Sequence, residues 1–144
     1  MRKIGKPFGL CQLLLLFTLL VGMIALPQAA AAETDGWSWQ NPALPLRLFR
    51  GVWGSSSSDV FAVGESGAVL HYDGTDWDTM VSGASTFLNA VWGSSGSDVF
   101  AVGEGGAVLH YDGTTWNAMV SGTGDWLTAV WGSSASDVFA LSGG

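Results

Sequence analysis

A 39-residue segment occurs twice in this chain and then starts a third time. The copies begin at Val52, Val91 and Val130, and 29 of the 39 positions are identical between the first two. The third copy, residues 130–144, matches the second at 11 of 15 positions. Repeats of this length are typical of solenoids, propellers and arrays, in which each unit buries its apolar surface against its neighbours. We therefore expect a row of similar units.

Each copy contains four short apolar runs separated by Gly, Ser and Asp. In the second copy they are LNAVWG, DVFAVG, AVLHY and TWNAMV. Their Val, Phe, Trp and Tyr content favours strands, and none has helical spacing. The fourth run alternates in polarity, which is typical of a half-exposed edge strand, and the DG pair before it predicts a hairpin. Each copy is therefore predicted to be a four-stranded antiparallel meander, the form of a propeller blade.

The repeated sequence VWGSSxSDVFAVGExGAVLHYDGTxW resembles a family of bacterial exported β-propeller repeats. That family is distantly related to the bacterial neuraminidase (Asp-box) and WD-repeat propellers. The resemblance covers Asp35 to about Ala140 and implies an all-β fold of propeller-type blades. The Asp-box itself, S-x-D-x-G-x-T-W, is not met because Asp112 and Gly113 are adjacent. The resemblance therefore implies the fold, and the departure from the Asp-box weakens any inference of sialidase activity.

These observations predict a domain organisation with an incomplete ring. Residues 33–51 are expected to supply the last strand of a preceding blade. Residues 52–90 and 91–129 form blade repeats 1 and 2, and residues 130–144 form a partial third, about 2.5 blades in all against the four or more of a closed ring. Three alternatives follow: a fragment of a longer propeller, a ring closed by several copies as a homo-oligomer, or an open array. The fragment is preferred.

The first 32 residues have the anatomy of a secretory signal peptide. A cationic head precedes an apolar run at residues 10–26, and Ala30 and Ala32 form an A-x-A site before Glu33. An uncleaved membrane anchor is the alternative, because the run approaches the ~18 residues that span a bilayer. We expect an exported protein that is periplasmic, cell-surface or extracellular. Cys11 lies in the leader, so disulfides contribute nothing to the mature chain.

Charge excludes one class of partner. All five Lys and Arg residues lie in the first 50 positions. The charged residues of the repeats are all Asp and Glu, accompanied by two histidines. Binding to nucleic acid needs cationic side chains to neutralise phosphates. Nucleic acid is therefore not expected as a partner.

Several recurring polar residues are candidates for a chemical role. His71 and His110 are expected to be hydrogen-bonded histidines at strand ends, and the aspartates after the Ser-rich turns are expected to cap those turns. A calcium site at the aspartates of DGTDWD is not expected, because alternating side chains do not converge on one point. No catalytic residue, metal ligand or cofactor is predicted. The aspartates after the Ser-rich turns are Asp59, Asp98 and Asp137, and those of DGTDWD are Asp73, Asp76 and Asp78.

Five tryptophans recur at equivalent positions and are expected to form a packing layer. They are Trp53, Trp92, Trp131, Trp77 and Trp116. Trp126 does not recur, because the first copy has Phe87 at its position. It lies in the connection between two repeats, so Trp126 and its neighbour Asp125 are the predicted ligand contacts. A ligand is expected to meet loops on one face of the ring, such as GSSGSD or SGTGDW.

The resulting hypothesis is a non-enzymatic exported β-propeller repeat protein that acts as a binding or scaffold module. Its partner is an unidentified protein or carbohydrate. Two alternatives stay open: a lectin-like protein with sites between blades, and a fragment of a glycan-active propeller enzyme whose catalytic residues lie in missing blades.

Overall fold

The structure, a computed structural model, describes residues 2–4, 37–39 and 47–143. The chain divides into two compact units, Met1–Ala43 and Leu44–Gly144. In the first unit, β1 (Arg2–Ile4) pairs antiparallel with β2 (Trp37–Trp39), and Arg2 lies opposite Trp39. The apolar run at residues 10–26 and the A-x-A site lie outside the described residues. Within the described residues, no helix has the length and hydrophobicity needed to span a bilayer.

The described part of the second unit is antiparallel β-structure, as the strand-rich runs predict. Sheet 1 has the order β3-β4-β5-β6, sheet 2 the order β7-β8-β9-β10, and sheet 3 pairs β11 with β12. The strands are β3 (Phe49–Ser56), β4 (Asp59–Gly64), β5 (Val69–Tyr72), β6 (Trp77–Met80), β7 (Leu88–Ser95), β8 (Asp98–Gly103), β9 (Val108–Tyr111), β10 (Trp116–Met119), β11 (Leu127–Ser134) and β12 (Asp137–Ser142). The prediction of four-stranded meanders is confirmed for the two full copies.

The structural frame of the repeat starts three residues before the sequence frame. Strand β3 already begins at Phe49, and its equivalents begin at Leu88 and Leu127. Residues 49–51, assigned from sequence to a preceding blade, thus belong to the first strand of sheet 1. Strand β2, the other described part of residues 33–51, pairs with β1. Its proposed place as the outer strand of a ring stays a prediction.

Turn chemistry sets where each strand ends. Gly74 and Gly113, in the DG hairpins that join the third and fourth strands, have φ of 101° and 92°. A side chain at either position would be strained, because this backbone region favours glycine. The second and third strands are joined by 3-10 turns at Glu65–Gly67 and Glu104–Gly106. Each meander therefore has Ser-rich turns and DG hairpins at one end of its strands, and 3-10 turns and inter-sheet connections at the other.

The core lies between successive sheets. We call the face that carries the recurring phenylalanine (Phe61, Phe100, Phe139) the front face of each sheet, and the opposite one the back face. The front face of sheet 1 packs against the back face of sheet 2 in one buried cluster, since side chains alternate between the faces of a strand. That cluster contains Phe61, Val63, Val69, Leu88, Val91, Val99, Ala101, Leu109 and Trp116.

The first strands of successive sheets are direct neighbours. Strand β7 contacts β3 on one side and β11 on the other. A Cβ added at Gly93 would lie 2.7 Å from Cη2 of Trp53, and one at Gly132 would lie 2.6 Å from Cη2 of Trp92. The W-G pair of each repeat thus has a joint role: the indole of one sheet occupies the space left by the glycine of the next.

Candidate functional site

The recurring polar residues form one hydrogen-bonded cluster per complete sheet. In sheet 1, Asp59 Oδ1 lies 2.6 Å from His71 Nε2, and the Ser55 hydroxyl donates to Asp59 Oδ2. In sheet 2, Asp98 Oδ1 lies 2.7 Å from His110 Nε2, and the Ser94 hydroxyl donates to Asp98 Oδ2. The expected hydrogen-bonded histidines and turn-capping aspartates are confirmed. Each aspartate both caps its turn and pairs with the histidine, so the cluster links the Ser-rich turn to the third strand by hydrogen bonds.

The order of groups in this cluster differs from that of a nucleophilic triad. In a serine hydrolase the histidine lies between serine and aspartate and takes the proton of the serine hydroxyl. Here Asp59 lies in the middle and accepts from both Ser55 and His71. The histidine is therefore not bonded to the serine, so this arrangement does not activate the hydroxyl.

The cluster is also packed against its neighbours. The ring of His71 stacks on Phe61 with a centroid distance of 4.4 Å, and His110 stacks on Phe100 at 4.5 Å. A Cβ at Gly96, in the Ser-rich turn of sheet 2, would lie 2.2 Å from Asp59 Oδ2. The carboxylate of one sheet thus meets the turn backbone of the next, as expected of a structural element. In sheet 3, Asp137 accepts from Ser133 at 2.5 Å.

The sequence contains a signal for this cluster that no single residue reveals. Serine precedes aspartate by four positions, and histidine follows the aspartate by twelve, in both full copies. The signal becomes interpretable only with strand register, which places His71 opposite Phe61 on β4.

The aspartates of the DG hairpins organise their own turns. Asp73 Oδ1 accepts from the backbone N–H groups of Thr75 and Asp76, at 2.8 and 3.0 Å. Asp112 Oδ1 accepts from the backbone of Thr115 and from the hydroxyl and backbone of Thr114. These hydrogen bonds to the charged form lower the pKa of both carboxyls below the ordinary aspartate value of 3.8.

Asp112 also accepts from the Asn117 side chain, at 3.0 Å from Nδ2 to Oδ2. The first copy has Asp78 at the position of Asn117, so the hairpin of sheet 1 lacks that donor. Among the residues that the structure describes, no three His, Cys, Asp or Glu side chains come together in a way that could hold a metal ion.

The recurring tryptophans divide into covered and uncovered ones. Trp116 is buried in the core cluster between sheets 1 and 2, and Trp53 packs against that cluster. Trp131 is 59% exposed, although it is equivalent to Trp53. The indole Nε1 atoms of Trp77 and Trp116 are buried without a hydrogen-bond acceptor among the described residues. The packing interpretation therefore fits the two complete sheets, and it does not describe Trp131.

Trp126, the predicted ligand contact, lies on the surface and is 58% exposed. It precedes β11, in the connection from sheet 2 to sheet 3, and its backbone carbonyl accepts from Gly143 N–H at 2.9 Å. Asp125 beside it is also exposed, and its carbonyl accepts from Gly106 N–H at 2.8 Å. The backbone of the pair is thus anchored to neighbouring segments while both side chains are accessible.

The equivalent position in the first copy shows why Trp126 is uncovered. The guanidinium of Arg50 lies 4.3 Å from the ring centroid of Phe87. Arg50 also donates to Asn89 Oδ1 at 2.8 Å and lies 3.8 Å from Glu104 Oε1. The residue equivalent to Arg50 in the second copy is Asn89, whose amide donates to the Leu127 carbonyl at 2.9 Å. A cation covers the first aromatic ring, and the shorter asparagine leaves the second one free.

The two loops considered as ligand surfaces lie at opposite ends of the strands. GSSGSD joins β7 to β8, and SGTGDW joins β10 to β11. In an antiparallel meander, consecutive connections alternate between the two ends. The expectation that both belong to one binding face is therefore wrong, and Trp126 and Asp125 share their end with the 3-10 turns.

Comparison with known proteins adds no assignment: no family model, curated protein or solved structure matches this chain.

Proposed function

We propose that this chain is a non-enzymatic, exported repeat protein of the β-propeller type that acts as a binding or scaffold module. Two features support the propeller architecture. The full copies form four-stranded antiparallel meanders, and the first strands of successive sheets are direct neighbours. Blades that meet at their first strands and diverge outward are the arrangement of a propeller.

The single observation that carries the binding role is the contrast between Trp126 and Phe87. Every other aromatic position shared by the two full copies keeps its residue type, whereas this one changes to a larger ring and loses its cationic cover. The recurring Ser, Asp and His side chains are hydrogen-bonded to one another within each complete sheet. Residues that serve packing are expected to recur with the blade, and a residue that departs from the repeat is free to serve a ligand.

A lectin-like role is the second candidate, and the pair Trp126 and Asp125 favours it. An exposed indole provides a flat apolar surface for the face of a sugar ring. The adjacent carboxylate accepts hydrogen bonds from hydroxyl groups. An unidentified protein ligand would use the same indole as an anchor, because tryptophan is enriched among interface hot spots.

The test compares the full chain with Trp126→Ala and Trp131→Ala on a panel of soluble oligosaccharides. The two tryptophans are almost equally exposed, so the second variant controls for the loss of any surface indole. We expect Trp126→Ala to weaken binding at least ~10-fold, as for removal of an aromatic hot spot, and Trp131→Ala to bind normally. Equal losses in both variants would contradict the assignment of this site, and sugar hydrolysis would contradict the non-enzymatic role.

Export is tested separately by N-terminal sequencing of the protein after expression in a bacterium with an intact secretion pathway. The proposal expects a mature chain that begins at Glu33. Retention of residues 1–32 on a membrane-bound product would favour the anchor alternative.

A further inference from the structure

A groove of about 510 Å³ lies between sheets 1 and 2, at their outer strands. Both sheets are complete four-stranded meanders, so the groove belongs to an interface between two whole repeats. Its volume falls within the ~300–1,000 Å³ that is typical of small-molecule sites. One wall is β6 and the residues after it (Thr79, Met80, Val81 and Gly83), and the other is the second DG hairpin and the start of β10 (Thr114, Thr115 and Trp116).

The groove is lined without charge, and two of its threonines depart from the repeat. The first copy has Asp76 at the position of Thr115, so the hairpin that meets the groove carries a hydroxyl where the other hairpin carries a carboxylate. Thr79 departs in the same way, because the second copy has Ala118 at its position. The polar groups of this groove are therefore not explained by the shared packing of the blades.

The wall formed by β6 offers backbone groups in addition to a hydroxyl. In the hairpin of sheet 1, the Asp73 N–H donates to the Asp76 carbonyl at 3.3 Å. Hydrogen-bonded and non-hydrogen-bonded pairs alternate along an antiparallel ladder, so Leu70 and Thr79 form a non-hydrogen-bonded pair. The N–H and C=O of Thr79 therefore point away from β5, on the side of β6 where the described residues place no further strand.

The threonines of the opposite wall are hydrogen-bond acceptors. The Thr114 hydroxyl donates to Asp112 Oδ1 at 2.7 Å, and the Thr115 hydroxyl lies 3.4 Å from Asp112 Oδ2. Thr115 also accepts from the Asn117 amide, which leaves at least one lone pair on each hydroxyl oxygen for a ligand. Since its hydrogen bonds lower the pKa of Asp112, that carboxylate is charged at neutral pH. The ligand therefore has to supply O–H or N–H donors, and an anion would be repelled.

The rest of the lining is apolar. Trp116 belongs to the core cluster, and Met80 packs against it. Val81 is 91% exposed. A Cβ added at Gly83 would have no atom within 4 Å, so the space beside this residue is open. A ligand for this groove thus needs an apolar surface together with hydrogen-bond donors.

We propose that the groove between sheets 1 and 2 is a binding site for a neutral saccharide. The C–H face of a sugar ring packs on Met80, Val81 and Trp116, as apolar and aromatic side chains allow. Its hydroxyl groups donate to the threonines of the hairpin and accept from the backbone N–H of Thr79. The site is separate from the pair at residues 125 and 126 and does not rest on the role proposed for that pair.

A polypeptide added as a fifth strand fits this groove less well. Strand addition uses a row of unpaired backbone groups along an edge. Of the two residues of β6 whose backbone points outward, Trp77 and Thr79, only Thr79 lines the groove. A compact ligand with several hydroxyl groups matches this arrangement better than an extended chain does.

Binding is measured by NMR on the full chain with ¹³C-methyl-labelled methionine. Met80 lines the groove, whereas the equivalent Met119 does not, so the protein contains both a reporter and its control. The probes are neutral disaccharides built from glucose, galactose, mannose and N-acetylglucosamine. We expect at least one to shift the Met80 signal saturably and to leave Met119 unchanged. The same disaccharide with one C6 oxidised to a carboxylate should bind at least ~10-fold more weakly.

The double variant Thr79→Ala, Thr115→Ala removes two hydroxyl groups from the groove. Neither position requires threonine for folding, because the other copy has Ala118 and Asp76 there. We expect the affinity to fall at least ~5-fold, as for the loss of two neutral hydrogen bonds. The control is Thr75→Ala, the equivalent of Thr114 in the hairpin of sheet 1, which lies outside the groove and should bind normally.

The absence of a saturable Met80 shift across the panel would overturn the proposal. Equal shifts at Met80 and Met119, equal affinity for the oxidised disaccharide, or unchanged affinity in the double variant would do the same. Trp126→Ala is expected to keep the Met80 shift, so failure at this groove is distinguishable from failure of the proposed function.

Discussion

Phe61 in sheet 1 and Phe139 in sheet 3 occupy the same position of nearly the same sequence, yet their surroundings differ completely. Phe61 is 0% exposed and Phe139 is 58% exposed. Both sit in the segment SDVFA, and both lie opposite a tryptophan on the preceding strand. Two things differ among the described residues. The third strand of sheet 1 lies beside β4 and stacks His71 on Phe61, and a complete four-stranded sheet covers the front face of sheet 1. Burial of this phenylalanine is thus set by the strands and sheets around it and not by the local sequence.

The largest expected effect tests that contrast directly. Phe61→Ala should lower the free energy of unfolding by ~3–5 kcal/mol, because it leaves a cavity in the core between sheets 1 and 2. Phe139→Ala should change it by no more than ~0.5 kcal/mol, as at other exposed positions. Urea unfolding followed by tryptophan fluorescence measures both. Similar losses in the two variants would mean that the front face of sheet 3 is covered in solution.

The fit of each tryptophan against the next glycine provides a second test. Gly93→Ala places a methyl group 2.7 Å from Trp53 Cη2 and 2.8 Å from the Asp98 carbonyl oxygen. Gly54→Ala meets the corresponding carbonyl, of Asp59, at 2.8 Å, but the described residues place no tryptophan near it. We expect Gly93→Ala to destabilise by ~1–3 kcal/mol through overpacking, and Gly54→Ala to destabilise less.

A double-mutant cycle between Gly93→Ala and Trp53→Ala sharpens the result. If the indole and the glycine form one packing unit, the two losses will not add, because removing the ring relieves the clash with the new methyl group. Strict additivity would contradict a direct contact between sheets at this point.

The cluster of Ser, Asp and His provides the third comparison. Asp98 accepts from both Ser94 and His110, whereas Asp137 accepts from Ser133 and, among the residues that the structure describes, from no histidine. Asp98→Ala should therefore cost ~1–2 kcal/mol, since it leaves a half-buried histidine without its partner, and Asp137→Ala should cost less than ~1 kcal/mol. His110→Ala combined with Asp98→Ala should cost less than the sum of both. A larger loss for Asp137→Ala would contradict the role of the histidine.

The sequence predicted the strands well, because they depend on local chemistry. The alternation of Trp116 to Val120 and the DG pairs with their positive-φ glycines mark the fourth strand and its hairpin within a few residues. The contact of Trp53 with Gly93, in contrast, joins residues of different repeats. It depends on the spatial offset between neighbouring sheets and therefore not on local chemistry. From the sequence, Asp59 is predicted to cap a turn and His71 to lie at a strand end, and only the register of β4 and β5 brings them together.

The candidate site was predictable only in part, for a similar reason. Departure from the repeat identified Trp126, and its exposure agrees with a surface role. That Arg50 covers Phe87 could not be predicted, because it requires the first strand of sheet 1 to lie beside the connection that follows that sheet.

The smallest expected effect concerns the DG hairpins, where Asp112 has donors that Asp73 lacks. Since the folded-state pKa of each carboxyl is lowered, its contribution to stability is complete above the ordinary value of 3.8 and is lost as the pH falls through the folded value. Asp112→Asn keeps the Oδ1 acceptor, removes the charge, and replaces the Oδ2 acceptor of the Asn117 amide by an NH2 donor. It should lower the thermal midpoint slightly at pH 7, and this difference from the parent chain should vanish in acid. Asp73→Asn should show a smaller difference, because it has no counterpart of the Asn117 amide. A difference that persists unchanged at low pH would mean that the shape of the turn, and not the charge of Asp112, distinguishes the two hairpins.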